Sequence, residues 1–123
     1  MILVKLLKLP VLKRLIPSLL IRLLKILKQN RGYFKIKDTK MFLDFLDPID
    51  RELILHKEFD NLEINFLIEK INIYKINYFL DIGANCGYYS LIIGKNVKNI
   101  SIIAFEPNKE AFFKFSKSLD INS

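Results

Sequence analysis

The sequence predicts an α/β fold built on a parallel βαβα unit, preceded by a helical and hairpin N-terminal region. Three observations predict it. Tyr78-Phe79-Leu80 and Ile100 to Phe105 are short apolar runs of the kind that form buried parallel strands. Between them, Gly83 and Gly87 punctuate a loop that leads into a helical stretch from Tyr88 to Gly94. After the second run, Asn108 is placed to cap a further helix from Lys109 to Ser118, with Ala111, Phe112, Phe115 and Leu119 as its buried face.

The elements before this unit follow in order. Residues 1 to 29 read as a basic amphipathic region rich in Leu and Ile. Pro10 and Pro17 divide it, because proline lacks an N–H and obstructs the preceding turn. Ser18 is placed to cap a helix in which Arg22, Lys25 and Lys28 form a narrow polar stripe. Two uses fit such a helix. It can lie on an anionic membrane surface, or it can pack on its own domain or a partner subunit with its charges in water. Nucleic acid is not expected as a partner, since the stripe lacks interleaved aromatics and a recognition helix.

Gln29 to Gly32 breaks the helical pattern. Tyr33 to Lys37 then alternates and Met41 to Leu46 is apolar, which predicts a hairpin turning near Asp38-Thr39. Asp47-Pro48 marks a turn, and Ile49 to Lys57 suits a strand or a short helix. Asp60 with Glu63 three residues on reads as a capping-box variant. It opens a helix whose buried face is Leu62, Phe66, Leu67, Ile71 and Tyr74.

A chain of 123 residues, 51% hydrophobic and 27% charged, can bury one core and is neither disordered nor low in complexity. Its net charge of +7 is unevenly placed: residues 1 to 37 hold ten bases and no acid, while the remainder has ten bases against thirteen acids. Cys86 is the single cysteine, so no intramolecular disulfide can form and a reducing cytoplasm is expected, with the arm peripheral to the inner face of the membrane if it binds lipid. Basic residues interrupt every candidate signal sequence, and the longest charge-free run in the arm, Leu15 to Ile21, falls far short of the ~20 residues that cross a bilayer. His56, the only histidine, is expected at the surface rather than as a base.

Strand, glycine loop, helix, strand and acid, in that order, make a nucleotide-binding unit. Gly83 and Gly87 remove the Cβ atoms that would keep a ligand off the backbone. Glu106, at the end of the second strand, would accept hydrogen bonds from two vicinal ribose hydroxyls. A pyrophosphate needs G-x-G-x-x-G, but counting from Gly83 the second glycine is Asn85 and the third is Tyr88. Asp81, at the first strand's end, suits instead a ligand carrying ammonium or sulfonium charge. Cys86 reads as a small filler without a basic partner to activate it. Of Tyr88 and Tyr89, one is expected on the pocket wall and one in the core.

Asp81 to Ser90, DIGANCGYYS, with a following strand that ends in AFEPN, closely resembles motif I and the next acidic-loop motif of FkbM-type S-adenosylmethionine-dependent methyltransferases. The resemblance is specific from Phe79 to about Leu119 and reaches back more weakly through Glu58 to Glu63. It implies a Rossmann-like methyltransferase fold of which only the first βαβα portion is present. Residues 1–30 would be the basic helical arm and 31–123 the N-terminal part of the domain. It implies S-adenosylmethionine as cofactor, with Asp81, Gly83, Ala84, Asn85 and Gly87 at its methionine part, Glu106 at its ribose, and Asn108 beside the adenosine. It further implies O-methylation of a sugar or other small-molecule hydroxyl.

A βαβ unit takes ~30 residues, so the 45 residues from Phe79 to Ser123 are too few for a full doubly wound sheet. The acceptor pocket and any general base are expected in later strands. No catalytic residue is therefore named, and no metal site is expected. The alternative is a non-catalytic, membrane-associated or partner-binding remnant that keeps the cofactor loop. In either case two open parallel strands should leave an apolar surface that needs cover, and poor solubility without a partner.

Overall fold

A computed structural model describes residues 18, 19, 21–23, 25–27, 29–57 and 60–122. The described residues between 18 and 27 are helical, whereas residues 1–17, Lys28 and the Glu58-Phe59 part of the acidic segment lie outside the described residues.

The hairpin forms from β1 (Arg31–Ile36) and β2 (Thr39–Asp44), antiparallel, with Arg31 opposite Asp44 and Ile36 opposite Thr39. Its turn falls at Lys37-Asp38, one residue earlier than expected, where Lys37 takes a left-handed φ of 53°. The ambiguous stretch after Asp47 is a helix, α1 (Pro48–His56). Asp47 caps it by accepting from the amides of Ile49 and Asp50, and Pro48 enters the first turn, where a missing N–H costs nothing.

Helix α2 (Asn61–Ile73) departs from the expected capping box. Asp60 is left-handed, with φ 46°, and its side chain makes no cap bond; its Oδ2 instead accepts from the Tyr89 hydroxyl at 2.9 Å. The buried face also differs. Leu62, Phe66 and Tyr74 are 83%, 56% and 69% exposed, while Ile64 and Ile71 are buried, with Leu67 and Ile68 packed beside them. Both rows have helical spacing, because α2 carries apolar residues on two faces, Leu62, Phe66 and Ile73 on one and Ile64, Leu67, Ile68 and Ile71 on the other. Packing against the next helix, rather than periodicity, selects the row that begins at Ile64.

Strands β3 (Tyr78–Ile82) and β4 (Ser101–Phe105) pair in parallel, with Tyr78 opposite Ser101 and Ile82 opposite Phe105. Helix α3 (Tyr88–Asn96) joins them, and α4 (Lys109–Asn122) follows. The chain is thus a mixed α/β structure with two two-stranded sheets among the described residues. Strand alternation places Phe79, Ile102 and Ala104 against the core, which runs through Leu53, Ile64, Cys86, Tyr88 and Leu91 to Ile93. The other face of the parallel pair shows Tyr78, Leu80, Ile82, Ile103 and Phe105 to solvent, each more than half exposed. A parallel pair normally has both faces covered.

Helix α4 buries Ala111, Lys114, Phe115 and Ser118, leaving Phe112 and Leu119, both expected inside, 56% and 45% exposed. Ser118, with the exposed Asn122 one turn on, closes the hairpin's free edge. Ser118 Oγ accepts from the Phe42 amide at 2.8 Å, and the Asn122 side chain bonds both the Lys40 amide and its carbonyl. Among the described residues no helix is long and apolar enough to cross a membrane.

Candidate cofactor site

Immediately after β3, the amides of Gly83 and Ala84 both donate to the Phe105 carbonyl at 2.9 Å, which ties the loop to the end of β4. The Gly87 amide then donates to the Ala84 carbonyl at 2.8 Å, closing a turn over residues 84–87. Gly83, Asn85 and Gly87 take left-handed φ values of 81°, 51° and 84°. Asparagine is among the few side-chain-bearing residues that accept this region readily, so the loop can be built with Asn85 where a dinucleotide motif has glycine.

Gly83, Asn85, Glu106 and Asn108 come together around one open pocket of about 410 Å³. Glu106 forms part of its wall. Its Oε2 accepts from the Asn85 amide and its Oε1 from the Asn108 amide, both at 2.7 Å. The carboxylate is therefore fixed at the strand end, and each oxygen keeps a lone pair for a further donor. Asn108 Oδ1 accepts from the amides of Glu110 and Ala111, capping α4.

Other expected residues stand apart from this pocket. Asp81 is on the helix-covered side of β3, where its Oδ2 accepts from Ser90 Oγ at 2.6 Å, and it does not line the pocket. Ala84 is buried behind the loop. Gly87 does not open the backbone to a ligand, since a Cβ there would run into the Phe115 ring, whereas at Gly83 nothing lies within 4 Å. Cys86 is buried filler, its thiol pushed up to about 12 by burial and then by the Asp50 charge. Tyr88 sits in the core, and Tyr89, whose pKa is raised by burial and by its bond to Asp60, lines no part of this pocket. His56 is exposed and pairs with Glu52 at 3.3 Å.

The two glycines give a paired expectation. Gly87→Ala combines a left-handed backbone with a clash against Phe115 and should lower stability by about 2–4 kcal/mol. Gly83→Ala meets only the backbone cost, about 1 kcal/mol. Urea midpoints of the two variants check this, and equal losses would mean that Phe115 yields freely.

The pocket also contains residues the sequence did not mark: Asp47, Glu110, Ala111 and Lys114. Lys114 Nζ bonds Asp50 Oδ2 at 2.5 Å and Asp47 Oδ2 at 3.1 Å, with its side chain 4% exposed and that of Asp50 fully buried. Burial pulls the Lys114 ammonium down, but the two carboxylates outweigh it and its pKa is raised. Burial likewise works to raise Asp47, yet Lys114 and the α1 amides hold it below the ordinary value. Asp50 is raised, because burial exceeds the pull of Lys114. The one signal in the sequence was Lys114 itself, a charged residue in the apolar row of Ala111 and Phe115, which demands a partner.

Three carboxylates, Asp47, Glu106 and Glu110, line the pocket and outnumber the two cations that pair with them, Lys114 on Asp47 and the Arg31 guanidinium on Glu110 at 3.0 Å. Such a wall disfavours a phosphate and favours a ligand with positive charge. A larger apolar cavity of about 490 Å³, lined by Leu91, Ile102, Phe112 and Leu119 among others, shares no residue with it. Among the described residues no cluster of three or more His, Cys, Asp or Glu could hold a metal ion. No family model matches the chain, and no curated protein or solved structure does either.

Proposed function

We propose that the pocket between the 83–87 loop and the end of β4 binds S-adenosylmethionine, and that the chain serves methyl transfer to a hydroxyl of a sugar or another small molecule. On this reading the α/β structure is the opening βαβα portion of a Rossmann-like methyltransferase fold. The observation that carries the proposal is Glu106, a carboxylate held at a strand end by amides on both sides and facing the open backbone of Gly83. The resemblance of Asp81 to Ser90 and of Ala104 to Asn108 to the methyltransferase motifs supports it.

The residues present fit this cofactor. The empty space at Gly83 lets a ligand lie against the backbone. Glu106 would take the ribose hydroxyls, and Asp47 and Glu110 would favour the ammonium and sulfonium charges. Asp81 acts through Ser90, fastening the start of the loop to α3. When bound, the cofactor supplies a methyl group made electrophilic by its sulfonium.

Calorimetric titration of the full chain with S-adenosylhomocysteine and, separately, with NAD tests the reading. S-adenosylhomocysteine should bind with one site per chain, and NAD should give no binding heat. Binding of NAD, with S-adenosylhomocysteine silent, would overturn the choice of nucleoside.

A further inference from the structure

We infer that the helical segment between residues 18 and 27 docks on an anionic lipid bilayer, lying in its surface. Leu19, Leu23, Ile26 and Leu27 are 61%, 52%, 77% and 52% exposed. At i, i+4, i+7 and i+8 they fall within about 100° of arc on the helix. Arg22 borders that arc and Lys25 lies nearly opposite its centre, and both are exposed. Four neighbouring aliphatic side chains left in water on one face of a helix mark a surface meant to be covered.

The charge around this face selects the occupant. The first 37 residues carry ten bases and no acid. A second copy would bring the same charge and be repelled, whereas anionic headgroups attract each Lys and Arg near the surface. Aliphatic side chains enter the boundary between headgroups and acyl chains without a shaped groove to receive them, and Arg22 can extend its stem along the apolar face while its guanidinium stays with the headgroups. Among the described residues no helix is long and apolar enough to cross a membrane, and the arm's longest charge-free run, Leu15 to Ile21, falls far short of the ~20 residues that span a bilayer, so the segment is placed on the surface.

Flotation of the full chain with vesicles tests this without any ligand in the pocket. The probes are vesicles of phosphatidylcholine alone and of phosphatidylcholine mixed equally with phosphatidylglycerol. The chain should float with the mixed vesicles only, and added salt should weaken the binding. Arg22→Gln with Lys25→Gln should lower the apparent affinity about fivefold per charge removed. Leu23→Asn with Ile26→Asn, both at exposed positions, should abolish flotation. The lipid and salt dependence of the unaltered chain decides the matter even if a variant folds poorly. No flotation, or equal flotation with both vesicles, would overturn the inference. So would a concentration-dependent dimer that Leu23→Asn with Ile26→Asn dissolves while the vesicles stay bare.

Discussion

Glu106→Ala should raise the Kd for S-adenosylhomocysteine about a hundredfold or more. A hydrogen bond to an ionised carboxylate contributes about 1.5–3 kcal/mol, so losing two ribose contacts removes about 3–6 kcal/mol, and each 1.4 kcal/mol is roughly tenfold in affinity. The same change frees the amides of Asn85 and Asn108, which are half-buried and exposed in turn, so that water can replace the carboxylate. The folding cost should therefore stay near 1–2 kcal/mol, in the usual range for a lost cap or loop hydrogen bond. Calorimetry for binding and a thermal melt without ligand separate the two effects. A variant that melts like the parent and still binds S-adenosylhomocysteine equally well would remove Glu106 from the site, and with it the proposed function.

Much of this site was legible in the sequence because its parts are local. A glycine loop between two short apolar runs, with an acid after the second, leaves little choice of order, and Asn108 announces itself as a cap by its position before a helical stretch. What was not legible depends on contacts far apart in the chain. Lys114 meets Asp47 and Asp50 across 67 and 64 positions, and no local pattern encodes such a meeting. Gly83 and Gly87 look alike in the sequence, yet the Phe115 ring covers one and not the other. In α2 apolar residues lie on two faces of the helix, so its inner face is set by what packs against it. Asp60 was misread for the same reason: the Tyr89 hydroxyl, 29 positions away, claims the carboxylate that local spacing assigned to a cap.

Lys114→Met should cost about 3–5 kcal/mol at neutral pH, the loss that follows when one partner of a buried ion pair is removed. For a chain of this size that lowers Tm by about 10–20 °C. The methionine fills the space of the stem, so the loss is electrostatic: Asp50, with a side chain 0% exposed, keeps the Asp44 amide as donor but loses its cation. Its pKa, already raised by burial, must rise further once Lys114 no longer opposes that rise. A carboxyl raised in the folded state contributes stability below its unfolded pKa, near 3.8, and that contribution is lost as pH rises through the folded value. The variant should therefore regain stability as pH falls from neutrality toward 5. In the parent, Asp44 is held below 3.8, since the bonds from Asn30, Leu46 and Arg31 together exceed the burial that works to raise it, and Asp47 is held below 3.8 as well. Their contribution persists until the pH drops under that value, so the gap between the two proteins should narrow at pH 5. Urea unfolding at both pH values measures it. Adding Asp50→Asn to Lys114→Met should recover much of the loss, because a neutral side-chain amide keeps an acceptor for the Asp44 amide and no longer asks for a counter-charge. A gap that is independent of pH would mean that Lys114 contributes through packing alone.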